Sequence, residues 1–131
     1  MPDFTKLAEQ YIATWNETDP SARRALIDEV WAADGRYTDP LADVAGRDQI
    51  DAVIAAAQAQ FEGMTFRLAG PVDAHHDQAR FTWELGTFPP GSAGGTALVV
   101  GFDVAKLDAD GRLALVLGFL DRVPNAPGLD R

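Results

Sequence analysis

At Met64 the apolar period of this 131-residue chain switches from helical to alternating, and that switch limits the architectures open to it. Before it, Phe4, Leu7, Ala8, Tyr11, Ile12 and Trp15 recur at the spacing of one helical face. Asn16-Glu17-Thr18 marks the end of that helix, and Asp19-Pro20 offers an N-cap and a first-position proline for the next. The second helix carries Leu26, Ile27, Val30 and Trp31 on its apolar face and is predicted to end near Asp34-Gly35. A short strand from Arg36 to Asp39 stops at Pro40. A loop then leads to Gly46-Arg47-Asp48 and a third helix with Ile50, Val53, Ile54, Ala57 and Phe61 on one stripe.

After the switch, Met64, Phe66 and Leu68 alternate with polar residues as far as Gly70-Pro71, and Phe81, Trp83 and Leu85 alternate likewise. Two long strands are predicted over residues 96 to 107 and 112 to 123, joined by the turn Asp108-Ala109-Asp110-Gly111. A Gly/Pro-rich connection runs from Gly86 to Gly95. Three helices with one strand between the second and third, followed by a four-strand antiparallel run, predict an α+β domain. The helices should lie on one face of a curved antiparallel sheet and close a cone-shaped pocket for a small ligand. The whole of 1–131 reads as a single domain, with a Pro/Gly tail over 124–131.

Composition narrows the partners. The net charge of −9 argues against nucleic acid and anionic membrane surfaces, which recruit basic patches. No cysteine is present, so neither a disulfide framework nor a thiolate ligand is expected. Apolar stretches fall short of the ~20 residues a membrane helix needs, and Met1-Pro2-Asp3-Phe4 has no export signal, so a cytoplasmic location is expected. Adjacent His75 and His76 would point to opposite faces of a strand and suit one metal ion poorly, so no metal and no cofactor are expected. Both long strands are apolar on both faces, which predicts a homodimer through the outer face of the sheet.

Acids in apolar surroundings are the candidates for chemistry, because a buried carboxylate is costly unless paired, hydrogen-bonded or protonated. Asp103 interrupts Ala97-Leu98-Val99-Val100-Gly101-Phe102 and shares its pleat face with Val99, Gly101, Ala105 and Leu107. Asp121 follows Leu115-Val116-Leu117-Gly118-Phe119-Leu120, and Asp39 stands where a strand breaks, in Tyr37-Thr38-Asp39-Pro40. Each has a structural alternative. Asp39 could simply begin a turn, Asp103 could pair with Arg80 or Arg122, and Asp121 could form a half-exposed bridge with Arg122. Trp15, Trp31, Tyr37, Ile54, Met64, Phe66, Phe81, Trp83 and Phe119 are expected to wall the pocket, although such residues also serve as ordinary core.

The element order, together with Tyr37-Thr38-Asp39-Pro40 and Gly46-Arg47-Asp48-Gln49-Ile50, resembles the nuclear transport factor 2-like superfamily. Within it the chain is similar to SnoaL-like polyketide cyclases and ketosteroid isomerases, over about residues 4 to 123. The resemblance implies Asp39 as general base, with Tyr11 and a protonated Asp103 as donors to a developing enolate oxygen. Ketosteroid isomerase is itself the standard example of an aspartic acid held neutral by an apolar site. A steroid- or polyketide-like apolar molecule with a carbonyl group is the implied ligand. Asp121 is closer to the cyclases and would serve aldol-type closure or small-ring hydrolysis. Trp31 and Ile54 occupy positions where one isomerase branch has supporting tyrosines, and Leu120 replaces a tryptophan. A third reading is a non-catalytic binding or dimerisation domain.

Overall fold

The computed structural model describes residues 3–89 and 95–123. Helix α1 (Phe4–Asn16) opens with the Asp3 carboxylate accepting the Lys6 amide at 3.0 Å, which satisfies one orphan donor of the first turn. Its apolar stripe buries Phe4, Ala8, Tyr11, Ile12 and Trp15. Helix α2 (Pro20–Val30) begins as its Asp-Pro start dictates, with Asp19 accepting from the Ala22 amide at 2.8 Å.

The end of α2 departs from expectation. The helix stops at Val30, and strand β1 (Trp31–Asp39) starts at once. The reason lies in the next helix, α3 (Arg47–Gln60): the Arg47 guanidinium donates to the Trp31 carbonyl at 2.6 Å and to the Asp28 carbonyl at 3.0 Å, capping the C-terminal end of α2. The Trp31 ring is fully buried, packed where a Cβ on Gly35 would lie only 2.6 Å from it. The segment expected as a loop before α3 contains a short edge strand, β2 (Ala42–Ala45), antiparallel to β1.

Strands β3 (Thr65–Leu68), β4 (Asp73–His75), β5 (Gln78–Thr87), β6 (Thr96–Leu107) and β7 (Leu113–Arg122) complete one mixed sheet, ordered β2-β1-β7-β6-β5-β3 with β4 also on β5. The β3–β5–β6–β7 pairings are antiparallel, whereas β1 joins β7 in parallel and so enters beside the last strand of the chain. Register shifts at Leu85/Gly86, Val100/Gly101 and Lys106/Leu107 are the bulges that bend the sheet. The β6–β7 turn forms as its sequence predicts: the Asp108 carboxylate accepts the Asp110 and Arg112 amides, and Gly111 takes a positive φ of 81°. His75 and His76 are exposed at the β4–β5 hairpin, with His76 at a φ of 53°.

The helices cover the concave face. Ile27, Val30, Trp31, Ile50, Ile54, Leu113 and Val116 form the driest layer, where α2 and α3 meet β1 and β7. Arg23 is buried beside it and bonds to Asp51 at 2.5 Å and Gln58 at 2.9 Å, joining α2 to α3. The expected tail beyond residue 123 and the centre of the Gly/Pro-rich connection lie outside the described residues. No helix among the described residues is long and apolar enough to cross a membrane.

Candidate active site

Alternation along β6 buries Val99, Gly101, Asp103, Ala105 and Leu107 together, so Asp103 faces the helices at 2% exposure. Directly opposite it on β7 stands Gly118. Beyond Gly118 lies Asp39, at the end of the parallel neighbour β1. A Cβ at Gly118 would lie 2.9 Å from Asp103 Oδ1 and 3.3 Å from Asp39 Cβ. Two carboxyl groups on non-adjacent strands therefore flank a position that carries no side chain.

Tyrosines complete the cluster. Tyr11, on the inner stripe of α1, donates its hydroxyl to Asp103 Oδ2 at 2.8 Å, a bond spanning 92 residues of chain. Tyr37, two residues before Asp39 and hence on the same strand face, donates to Asp39 Oδ2 at 2.5 Å. Asp39 Oδ1 accepts the Leu41 and Ala42 amides, each at 2.8 Å. Asp39 thus performs the turn role expected of an Asp-Pro pair and faces the cavity as well. Asp103 Oδ1 is buried without a partner. Neither arginine considered for it is engaged there: Arg80 bonds to Asp73, and Arg122 to the Ala97 carbonyl.

Burial controls the electrostatics. Removal from water pushes the Asp103 carboxyl up to about 7, the negative charge of Asp39 adds to the rise, and the Tyr11 hydroxyl and Trp83 indole oppose it. The indole favours the anion from nearby but completes no hydrogen bond to Oδ1, which stays orphaned. Tyr11 is raised well above an ordinary phenol, by burial first and then by Asp103 and Tyr37. Tyr37 is raised by burial, Asp103 and Asp39. Both phenols are therefore neutral donors near neutral pH.

These groups occupy the deep end of a cavity of about 230 Å³. Of the residues expected around it, Tyr11, Trp15, Tyr37, Asp39, Phe66, Trp83, Asp103 and Phe119 line it. Trp15, Phe66 and Trp83 make a continuous aromatic wall with successive ring centroids 5.4 Å apart. Trp83 lies flat because its cross-strand neighbour is Gly101, where a Cβ would fall 2.1 Å from the indole. Trp31 and Phe81 are a layer behind, supporting the Tyr11 ring at centroid distances of 6.2 and 5.7 Å. Ile54 is fully buried in the core, and Met64 is partly buried against the core rather than at the cavity. Asp121 is exposed and does not line the cavity; it shares the outward face of β7 with Phe119, which is 52% exposed and meets the cavity only at its rim.

Sequence reasoning passed over Gly118 and the mouth, where Leu41, Val53, Ala57 and Phe61 line the opening with Gln60. A glycine in the middle of an apolar strand was the available signal, since such a residue marks a close approach or a ligand.

A family model for the SnoaL-like domain matches residues 8–116. The chain belongs to the SnoaL-like family. Its fold is that of a solved SnoaL-like family protein from Agrobacterium tumefaciens, provisionally assigned as an isomerase, at 41% identity and TM-score 0.81, covering 89% of this chain and 96% of that one. Two more distant structures share the fold alone. A Catenulispora acidiphila protein with a ketosteroid isomerase-like fold, solved with trimethylamine, is 21% identical at TM-score 0.66, covering 86% of this SnoaL-like chain and 82% of its own. A Jannaschia protein provisionally assigned as a SnoaL-like polyketide cyclase is 19% identical at TM-score 0.66, covering 89% and 86%. No curated protein sequence matches the chain.

Proposed function

We propose that this SnoaL-like domain catalyses cofactor-free proton transfer on a small apolar molecule carrying a carbonyl group. The observation that carries this reading is the Tyr11–Asp103 hydrogen bond in an apolar wall, with Asp39 beside it across Gly118. Asp39 Oδ2 takes a proton from the carbon next to the carbonyl. The C–H electron pair becomes a C=C bond, and the carbonyl π pair moves to oxygen. The Tyr11 hydroxyl turns from Asp103 Oδ2 to that enolate oxygen, protonated Asp103 donates to it as well, and Asp39 returns the proton to the same or a conjugated carbon. Tyr37 orients Asp39 throughout.

The cyclase or hydrolase reading centred on Asp121 draws no support from its outward position. Binding without turnover is a second reading. It is favoured by the three donors already engaged on Asp39, which hold that carboxylate as a structural anion as readily as a base. Protein-dependent deuterium incorporation from solvent into cyclic ketones, followed by NMR, separates the two. Exchange in the parent protein that disappears in Asp39→Asn supports catalysis. Exchange that persists in Asp39→Asn refutes Asp39 as the base, and its absence from every ketone bound favours the binding module.

A further inference from the structure

The size and charge of the cavity restrict what can occupy it more tightly than the reaction does. A dry engineered cavity of about 150 Å³ accommodates benzene, and drug-sized ligands occupy roughly 300–1,000 Å³. This cavity, at about 230 Å³, lies between the two. Scaling from benzene gives room for about nine or ten non-hydrogen atoms, which is one substituted ring. A four-ring molecule with its carbonyl at Gly118 would leave most of its rings outside, over the exposed rim residues Leu41 and Phe119.

Charge adds a second restriction. Among the described residues, no Lys, Arg or His lines the cavity, while Asp39 and Asp103 both do. A carboxylate, phosphate or sulfate on the ligand would be desolvated against these acids with no cation to answer it. Polar groups are also unevenly placed. Tyr11, Tyr37, Asp39 and Asp103 cluster at the deep end, Gln60 is the only polar side chain nearer the mouth among the described residues, and the walls between are aromatic or aliphatic. The unpartnered Asp103 Oδ1 faces the slot above Gly118, where a ligand oxygen would supply the partner it lacks.

We infer that the natural ligand is a single-ring carbonyl compound of about ten non-hydrogen atoms that carries no anionic group. Its oxygen sits over Gly118 and its ring lies on the Trp15–Phe66–Trp83 wall. The carbonyl assignment rests on the proposed proton transfer; the size and charge limits do not.

Quenching of tryptophan fluorescence by three probes tests it, because Trp15 and Trp83 are in the wall. The probes are isophorone, a neutral one-ring enone; an oxocyclohexanecarboxylate of similar size; and progesterone, a four-ring enone. Isophorone should bind at least about tenfold more tightly than either of the others. Phe61→Ala, which opens the mouth, should narrow the gap for progesterone and leave the carboxylate excluded. Progesterone binding as tightly as isophorone overturns the size limit, and equal binding of the carboxylate overturns the charge limit. A gap for progesterone that Phe61→Ala leaves unchanged also counts against the size limit. Isophorone that binds selectively yet takes up no deuterium refutes the proton-transfer reading and the carbonyl assignment with it, and leaves the size and charge limits standing.

Discussion

Replacing Asp103 by asparagine should abolish a specific pH dependence of stability. In the folded chain the Asp103 carboxyl titrates near 7, against an ordinary value of 3.8, because burial penalises its charge. The folded state therefore binds this proton more tightly than the unfolded chain does. The resulting stabilisation is fully present below about pH 4 and is lost as pH rises, completely so once pH passes about 7. The interval corresponds to about 4 kcal/mol. For a domain of this size that is roughly 15 °C in melting temperature. Asparagine keeps an oxygen that can accept from Tyr11 and carries no charge at any pH. The assay is urea or thermal unfolding of both proteins at intervals from pH 4.5 to 8.5. Other carboxylates titrate in both, so they cancel in the difference. The advantage of Asp103→Asn over the parent should grow steadily with pH until about 7.5 and then level off. A difference independent of pH would refute the claim that Asp103 is held largely neutral by burial.

Other consequences follow from the same geometry. Deuterium exchange should fall as pH rises through about 7, when Asp103 loses the proton it donates; a rate flat to pH 9 would remove Asp103 from the donor pair. Gly118→Ala places a methyl 2.9 Å from Asp103 Oδ1 in a backbone conformation that alanine accepts. The buried Asp103 carboxyl must shift to admit it, an overpacking cost of roughly 1–3 kcal/mol, and ligand binding should fall at least about tenfold; full binding would show that the slot is not used. Gly101→Ala would drive a Cβ to 2.1 Å from the Trp83 ring, an overpacking cost of roughly 1–3 kcal/mol or more; an unchanged unfolding midpoint would contradict the packing described. The outer face of the sheet exposes Leu117 at 37% and Phe119 at 52%, with Phe102 5.7 Å from Phe119. If a second copy covers this face, Leu117→Glu with Phe119→Glu should convert a dimer to monomer in sedimentation, and a parent protein monomeric at high concentration would dismiss that partner.

Much of the site is legible in the sequence. Period-2 patterning alone puts Asp103 among Val99, Gly101, Ala105 and Leu107, and all five are buried. The helical stripe turns Tyr11 toward the same interior. Asp39 could be read as turn residue or as cavity acid, and it is both, because its two oxygens serve different partners. The Tyr37–Asp39 bond was implicit in their spacing, since residues two apart on a strand share a face.

What the chain by itself determines is local: the caps at Asp3 and Asp19, the Asp108–Gly111 turn, the element order and the alternation of each strand. Which side of a strand faces inward is not local when both faces are apolar. In β7 either Val116, Gly118 and Leu120 or Leu117, Phe119 and Asp121 could have faced the helices, and a shift of one residue exchanges the two sets. Pairing with β6 and parallel docking of β1 decide it, bringing Gly118 between Asp39 and Asp103 and turning Asp121 to solvent. The end of α2 was likewise settled from elsewhere, by Arg47 reaching back to the Trp31 carbonyl. Hydrogen bonds and packing between residues distant in sequence carry the deciding free energy at these points, so only the tertiary structure could place the cavity between its two acids.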